Sequence, residues 1–284
     1  MNRNAPFPLV VILGTNEIAS AVGVHLRRAG WNVVLAYDPF PPVVRRGMAF
    51  HDVLFGDCRV IDGVEGVRTE TTTEIAAALT SPDCVAVTAL PLADLVATCS
   101  PEVLVDARMQ KRSVTPDLRG LAHVAVGLGP LFRIGMNCDI AIETKPARNG
   151  QVVTVGSTDD ADGISSRLGG VGPERFVYSD RAGRWHTPID IGARVFNRFI
   201  LGHLDGRPVH APLDGIVRGI ARDGLLVRER VKLIEIDPRG REAKWTGIDD
   251  RGRRIAEATV IAIGMTLQEG AALKAFDATF ALCR

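Results

Sequence analysis

The chain has 284 residues, 46% of them hydrophobic, and its 34 Lys and Arg almost balance 33 Asp and Glu for a net charge of +1. That length buries a large core, most simply in two domains, and so even a charge excludes the broad basic footprint of a nucleic-acid binder or an anionic-membrane binder. The opening MNRNAPFPLVVILG lacks a secretory pattern, no apolar run approaches a membrane span, and Cys58, Cys84, Cys99, Cys138 and Cys283 are scattered as in a reducing cytoplasm. Neither the cysteines nor the six histidines have ligand spacing, so no metal site is expected.

LVVIL (9–13) is a continuous apolar run, as for a strand covered on both faces. From Glu17, apolar residues recur at Ile18, Val22, Leu26 and Ala29, a helical stripe that Gly30 stops, and NVVLAY (32–37) follows as a second strand. PPVVRRGMAFHDVLF predicts a short helix, CRVIDGVEGVRTE (58–70) a hairpin, and TTTEIAAALT a threonine-capped helix. CVAVTA (84–89), VLVDAR (103–108), HVAVGLG (123–129) and DIAIET (139–144) predict further core strands. Strands interleaved with helices give a Rossmann-like α/β domain over 1–148, then a connecting segment over 149–184. IGARVFNRFILGHL (191–204) repeats in DGLLVRERVKLIEI (223–236): Gly192 and Val195 match Gly224 and Val227, and Phe199, Leu201 and Leu204 match Val231, Leu233 and Ile236. Two similar short-stranded units therefore make a β domain over 185–240. Residues 241–284 form a C-terminal helical segment, with the helix over 253–263.

A dinucleotide turn reads G-x-G-x-x-G/A, its second Gly making room for the pyrophosphate. Here Gly14, Asn16 and Ala19 occupy the three places, and Glu17 adds negative charge at the helix mouth. Asp38 ends the second strand where an acidic residue would bond a ribose hydroxyl. The turn reads either as a nucleotide site or as the same scaffold without one. Arg45 and Arg46, and then Arg108, Lys111 and Arg112, are basic clusters near strand ends, fit for a phosphate or for a solvated face. Asp106 could orient Arg108. Gly127 and Gly129 allow a ligand close approach or simply turn the chain, Glu143 is a general base or a paired structural carboxylate, and Cys138 is a nucleophile or a core thiol.

Two resemblances follow from these stretches. VHAPLDGIVRGI, between the repeats, resembles the barrel-sandwich hybrid domain of biotinyl and lipoyl carriers, although the hairpin HLDGRPVH has no lysine to modify. The run ILGTNEIASAVGVHLRRAGWNVVLAYDPFPPVVRRGMAF, then VLVDARMQKR, VAVGLGPLFRIGMNCDIAIET, VHAPLDGIVRGI and IDPRG, resembles the selenium-dependent molybdenum hydroxylase accessory family (the YqeB type), related to the XdhC maturation proteins. The chain departs from that pattern at Thr15, Asn16 and Glu17, at Leu131 and from Lys145. The resemblance implies a cytoplasmic accessory or maturation protein for a molybdenum hydroxylase or a comparable cofactor enzyme. It would bind the molybdenum cofactor, a nucleotide or the target enzyme at the carboxyl edge of the sheet, through Gly14, Asn16, Asp38, Arg45, Arg46, Arg108, Lys111, Gly127, Gly129 and Glu143. Self-association into a homo-oligomer is compatible with it. The alternatives are an NAD(P)-dependent oxidoreductase and a non-catalytic scaffold or subunit of a larger complex.

Overall fold

A computed structural model describes residues 8–111 and 116–281, with side chains as far as residue 269. Arg112, Cys283 and most of the proline-containing opening lie outside the described residues. Nine strands form one sheet: Leu9–Leu13 (β1), Asn32–Ala36 (β2), Arg59–Ile61 (β3), Val64–Thr69 (β4), Cys84–Thr88 (β5), Val103–Asp106 (β6), Val124–Leu128 (β7), Ile140–Ile142 (β8) and Val152–Val153 (β9). Their order is β3-β4-β5-β2-β1-β6-β7-β8-β9. Neighbours from β4 to β8 run parallel, and β3 and β9 close the two edges antiparallel.

The strands are apolar throughout because both faces are covered. Val10, Ile12, Val33 and Leu35 meet helix α1 (Glu17–Arg28) and helix α4 (Asp250–Ala281) on one face. Val11, Leu13 and Val34 meet α2 (Thr72–Ala78) and α3 (Leu92–Cys99) on the other. Helix α3 carries no mark in the sequence, because Leu95 is its only buried side chain and no apolar stripe runs along it. The segment expected to be a helix after Pro41 is instead two 3-10 turns, Arg46–Met48 and His51–Phe55. Its backbone is committed elsewhere: Val44 O accepts from Ile220 N at 2.8 Å, and a Cβ on Gly47 would stand 2.3 Å from Trp245 O.

Residues 176–237 form eight strands in two four-stranded sheets. Phe176–Tyr178 (β10), Arg194–Val195 (β12), Gly215–Ile220 (β15) and Lys232–Asp237 (β17) make one, in the order β10-β17-β15-β12. Gly183–His186 (β11), Ile200–Leu204 (β13), Arg207–His210 (β14) and Leu226–Val227 (β16) make the other, in the order β14-β13-β11-β16. The sequence repeat is visible in the backbone: Gly192 and Gly224 have φ of +90° and +77°, and Arg198 and Arg230 have φ of +66° and +63°. The two units exchange sheets, since β12 lies with β17 while β16 lies with β13.

The expected pairing of a Rossmann-like domain with a barrel-sandwich hybrid domain is corrected by this architecture. The first part is a large mixed sheet closed by antiparallel strands at both edges, and the β unit is two four-stranded sheets that reach back to residue 176. Apolar runs report burial and not strand direction, which is why the mixed edges escaped a reading by periodicity. The C-terminal helix runs over Asp250–Ala281, well beyond 253–263, and packs along α1 on the large sheet.

Candidate functional site

Two charged residues inside the strands of the β unit organise the site. Glu235 on β17 is fully buried, and Arg218 on β15 is 4% exposed. A buried carboxylate needs cations and hydrogen bonds around it. Arg45 supplies both, donating from Nε to Glu235 Oε2 at 2.7 Å and from Nη2 to Oε1 at 3.1 Å. Arg175, from the 3-10 turn before β10, donates from Nε to Oε1 at 3.4 Å. Burial is the largest influence and would raise the Glu235 carboxyl, but Arg45, Lys232 and Arg218 together overcome it and hold the group down at about 2. Arg45 also pairs with Glu17 at 3.2 Å, so the first helix, the loop after β2 and β17 converge on one guanidinium.

Around this centre is a cleft of about 460 Å³ between the large sheet and the β unit. Eleven basic and seven acidic side chains line it, an excess of four positive charges. Three of the acidic groups, Asp159, Asp160 and Asp162, follow one another at one rim, where Lys145 pairs with Asp159 at 3.5 Å and Asp162 at 3.1 Å, and Arg148 pairs with Asp159. The floor is basic. Arg218 donates to Lys244 O and Asp249 Oδ2, each at 2.8 Å, yet its Nε is buried with no hydrogen-bond partner among the described residues. Arg251 is held by a carbonyl, donating to Thr144 O at 3.1 Å. Burial lowers the affinity of both guanidinium groups for their protons, with Arg45 adding to the effect. Lys232 lies beside them, and burial brings its amine down to about 8 against the opposing pull of Glu235.

Of the ten residues singled out in the sequence, Arg45, Lys111 and Glu143 line this cleft. Glu143 spends its carboxylate on backbone, accepting from Thr144 N at 2.7 Å, Lys145 N at 2.8 Å and Asp159 N at 2.8 Å. Arg46 faces the opposite side of the junction, donating to Ile220 O at 2.9 Å and Asp52 Oδ2 at 2.6 Å. Arg108 closes on Asp106, from Nη2 to Oδ2 at 2.6 Å, and on Asp38 at 3.3 Å. Asp106–Arg108 is one of three Asp-x-Arg hooks of equal geometry, with Asp117–Arg119 and Asp237–Arg239. Gly127 leaves room for Phe132, whose ring would stand 2.0 Å from an added Cβ, and Gly129 has φ of +109° at the end of β7. Cys138 is buried, and burial pushes its thiol up to about 12.

The opening turn is filled by the protein itself. Gly14 has φ of +109° and a Cβ there would stand 3.1 Å from Ala107 O. Asn16 caps α1, its Oδ1 accepting from Ile18 N at 2.9 Å and Ala19 N at 3.1 Å, while Nδ2 donates to Ala107 O at 2.7 Å. The N–H groups that would receive a pyrophosphate are thus engaged by Asn16. Residues missed by the sequence reading are Arg175, Arg218, Lys232, Asp249 and Arg251. The available signal was a charge within a buried strand, Arg218 in GIVRGI and Glu235 in KLIEID.

No family model matches the chain. Over 263 residues it is 31% identical to YqeB, an uncharacterized protein of Escherichia coli K12, covering 92% of this chain and 48% of that protein. The chain is of the YqeB type. It spans about half the length of that curated relative. Among solved structures it bears a likeness to the product-bound ectoine utilization protein EutE (DoeB) of Ruegeria pomeroyi, at 13% identity and a TM-score of 0.26, covering 83% of this chain and 86% of that one. Similar values hold for an aspartoacylase family protein of Mesorhizobium loti, at 9% identity, 82% and 86% coverage and a TM-score of 0.26. A succinylglutamate desuccinylase/aspartoacylase of Rhodobacter sphaeroides stands at 13% identity, 82% and 85% coverage and a TM-score of 0.24. Likeness at this level lends this chain no activity.

The functional expectations are corrected on the geometry of the site. The accessory or maturation role is set aside, because Asn16, Arg46 and Arg108, three of the residues expected to hold its cofactor, spend their donors on the protein itself. The NAD(P)-dependent oxidoreductase reading meets a first turn occupied by Asn16, with Asp38 already paired to Arg108. No described helix is long and apolar enough to cross a membrane, and among the described residues no group of three His, Cys, Asp or Glu could hold a metal ion.

Proposed function

We propose that the cleft between the large sheet and the β unit binds a small organic molecule with at least two negative charges, carboxylate or phosphoryl. The observation that carries this reading is the basic floor, where Arg218 Nε makes no hydrogen bond and Arg251 rests on a carbonyl. A guanidinium is always charged and offers fixed donors that match an oxyanion. The cavity volume of about 460 Å³ suits a metabolite-sized ligand. Arg45 and Lys111 belong to the same floor, and Glu143 holds the loop that carries Lys145 and Asp159.

Thermal unfolding against citrate, phosphate, malonate and chloride at constant ionic strength tests the proposal. Multivalent anions raise Tm and chloride does not. Arg251→Ala weakens the binding, by about 1.5–3 kcal/mol if one charged hydrogen bond is lost, which calorimetry reads as roughly ten- to a hundredfold in Kd. Equal Tm in all four salts would remove the reading. The finer kinship with XdhC-type proteins is proposed as descent only, on the order of the motifs in the large sheet. A reducing compartment is proposed from the free thiols of Cys58, Cys84, Cys99 and Cys138.

A further inference from the structure

Lys232 sits differently from the arginines gathered on Glu235. Arg45, Arg175 and Arg218 lie against Glu235, at 2.7, 3.4 and 3.7 Å. The Lys232 amine lies instead on an aromatic wall, its Nζ 3.5 Å from the Phe176 ring centroid and 6.0 Å from that of Tyr178. The wall is built by strand pairing, since β10 runs antiparallel to β17 with Tyr178 opposite Lys232. Arg175 stacks on the same Phe176 ring, its Cζ 4.2 Å from the centroid, so one ring anchors both an amine and a guanidinium. The charged groups acting on the amine are Glu235 and Glu17, which favour its protonated form, and Arg45 and Lys111, which oppose it. Burial is the largest influence and leaves the amine at about 8, so a usable share is neutral near pH 7. The ring face attracts the ammonium and so positions the group, while burial and the crowding by Arg45 and Lys111 free its lone pair, and such an amine is the kind that attacks carbonyl carbon.

We propose that Lys232 condenses with the ketone of a 2-oxo carboxylic acid whose carboxylate rests on the neighbouring arginines. This rests on the anion-binding reading of the cleft and names its substrate class. The neutral amine attacks the carbonyl carbon and a C–N bond forms. The carbonyl oxygen takes up the two amine protons and leaves as water, giving a C=N bond with no oxidant or reductant consumed. The carbonyl must stand beside the anionic group because the Lys232 amine and the arginines Arg218 and Arg251 line the same cleft, which favours 2-oxo acids over more distant ketones.

Incubation of the full chain with pyruvate or 2-oxoglutarate and sodium cyanoborohydride, followed by peptide mapping, tests this. The reduced adduct is expected on Lys232, in clear excess over Lys145 and Lys244, which line the same cleft. Lys232→Arg loses the adduct. Thermal protection by malonate and glutarate, which have no ketone, is measured in parallel. Protection without an adduct overturns the imine and leaves the anion site standing. Absence of both overturns the two together. An adduct spread evenly over the lysines overturns the assignment to Lys232, and mapping the unaltered protein gives that answer even where Lys232→Arg does not fold.

Discussion

Glu235 and His51 set the acid limit of this protein through different protons. The Glu235 carboxyl is held at about 2 against an ordinary 4.5, because Arg45, Lys232 and Arg218 together overcome the penalty of burial. Its contribution to stability is therefore complete above pH 4.5 and is lost as pH falls from there towards 2. Burial pushes the His51 imidazole from 6.5 down to about 4, where it stays neutral against Thr15 Oγ1 at 2.9 Å. A base with a depressed value also stabilises above its unfolded value and loses that contribution as pH falls, here between 6.5 and 4. Urea unfolding across this range is expected to show both losses. His51→Gln removes the upper one, and Glu235→Gln removes the lower one while costing about 3–5 kcal/mol at neutral pH, as for a broken buried ion pair. A Glu235→Gln protein as stable as the parent would mean that the three arginines do not depend on this carboxylate. The residues of the floor were hard to see in the sequence because Arg45, Lys111, Arg175, Arg218, Lys232 and Arg251 come from six separate stretches. Arg45 was visible as part of a basic pair, but its neighbour Arg46 points into a different contact, and only the fold separates the two.

At the scale of elements, the first turn carries the most instructive substitution. Asn16 fastens α1 to its own N-terminus and to the end of β6 through Ala107 O. Asn16→Ala is expected to cost about 1–2 kcal/mol, at the upper part of the range for a lost cap because the bond to Ala107 goes as well. Asn16→Asp keeps the cap and loses only the Ala107 bond, so its melting temperature should fall between those of Asn16→Ala and the parent. If the two variants melt alike, the bond to Ala107 O contributes the whole effect. The parallel strands were legible because burial on both faces leaves continuous apolar runs such as LVVIL and CVAVT, and α1 was legible from its stripe and stop. The hairpin of β3 and β4 was readable from Asp62-Gly63, and α2 from Thr71, whose Oγ1 accepts from Glu74 N at 3.2 Å. The edge strand β9 has two residues and no pattern to offer, and the 3-10 turns after Val44 owe their shape to contacts with a distant strand. Those features are decided by tertiary contact, which local sequence does not encode.

For the whole molecule, the junction between the large sheet and the β unit is the decisive surface. Besides the Arg45–Glu235 pair, Asp52 is 2% exposed and receives Arg46 at 2.6 Å and Arg222 at 3.2 Å, while Arg218 crosses to Asp249 at 2.8 Å. Charges of this kind cannot be left buried and unpaired, so separation of the two parts is costly. Calorimetry should show one cooperative transition for the full chain. Gly47→Ala, which forces a Cβ to within 2.3 Å of Trp245 O, should lower it or split it in two. Two independent transitions in the parent would show that the junction is weaker than its contacts imply. The exchange of β12 and β16 between the sheets of the β unit has a further result. A protease that cuts the turn at Asp223-Gly224 produces two fragments, neither of which owns a complete sheet of the β unit: the first keeps the nine-stranded sheet but lacks β16 and β17, and the second has little else but those strands and α4. Such fragments remain clasped after the nick and elute together until denatured, and the pieces expressed separately should find each other, so that this turn is a natural place to split the protein into complementing halves.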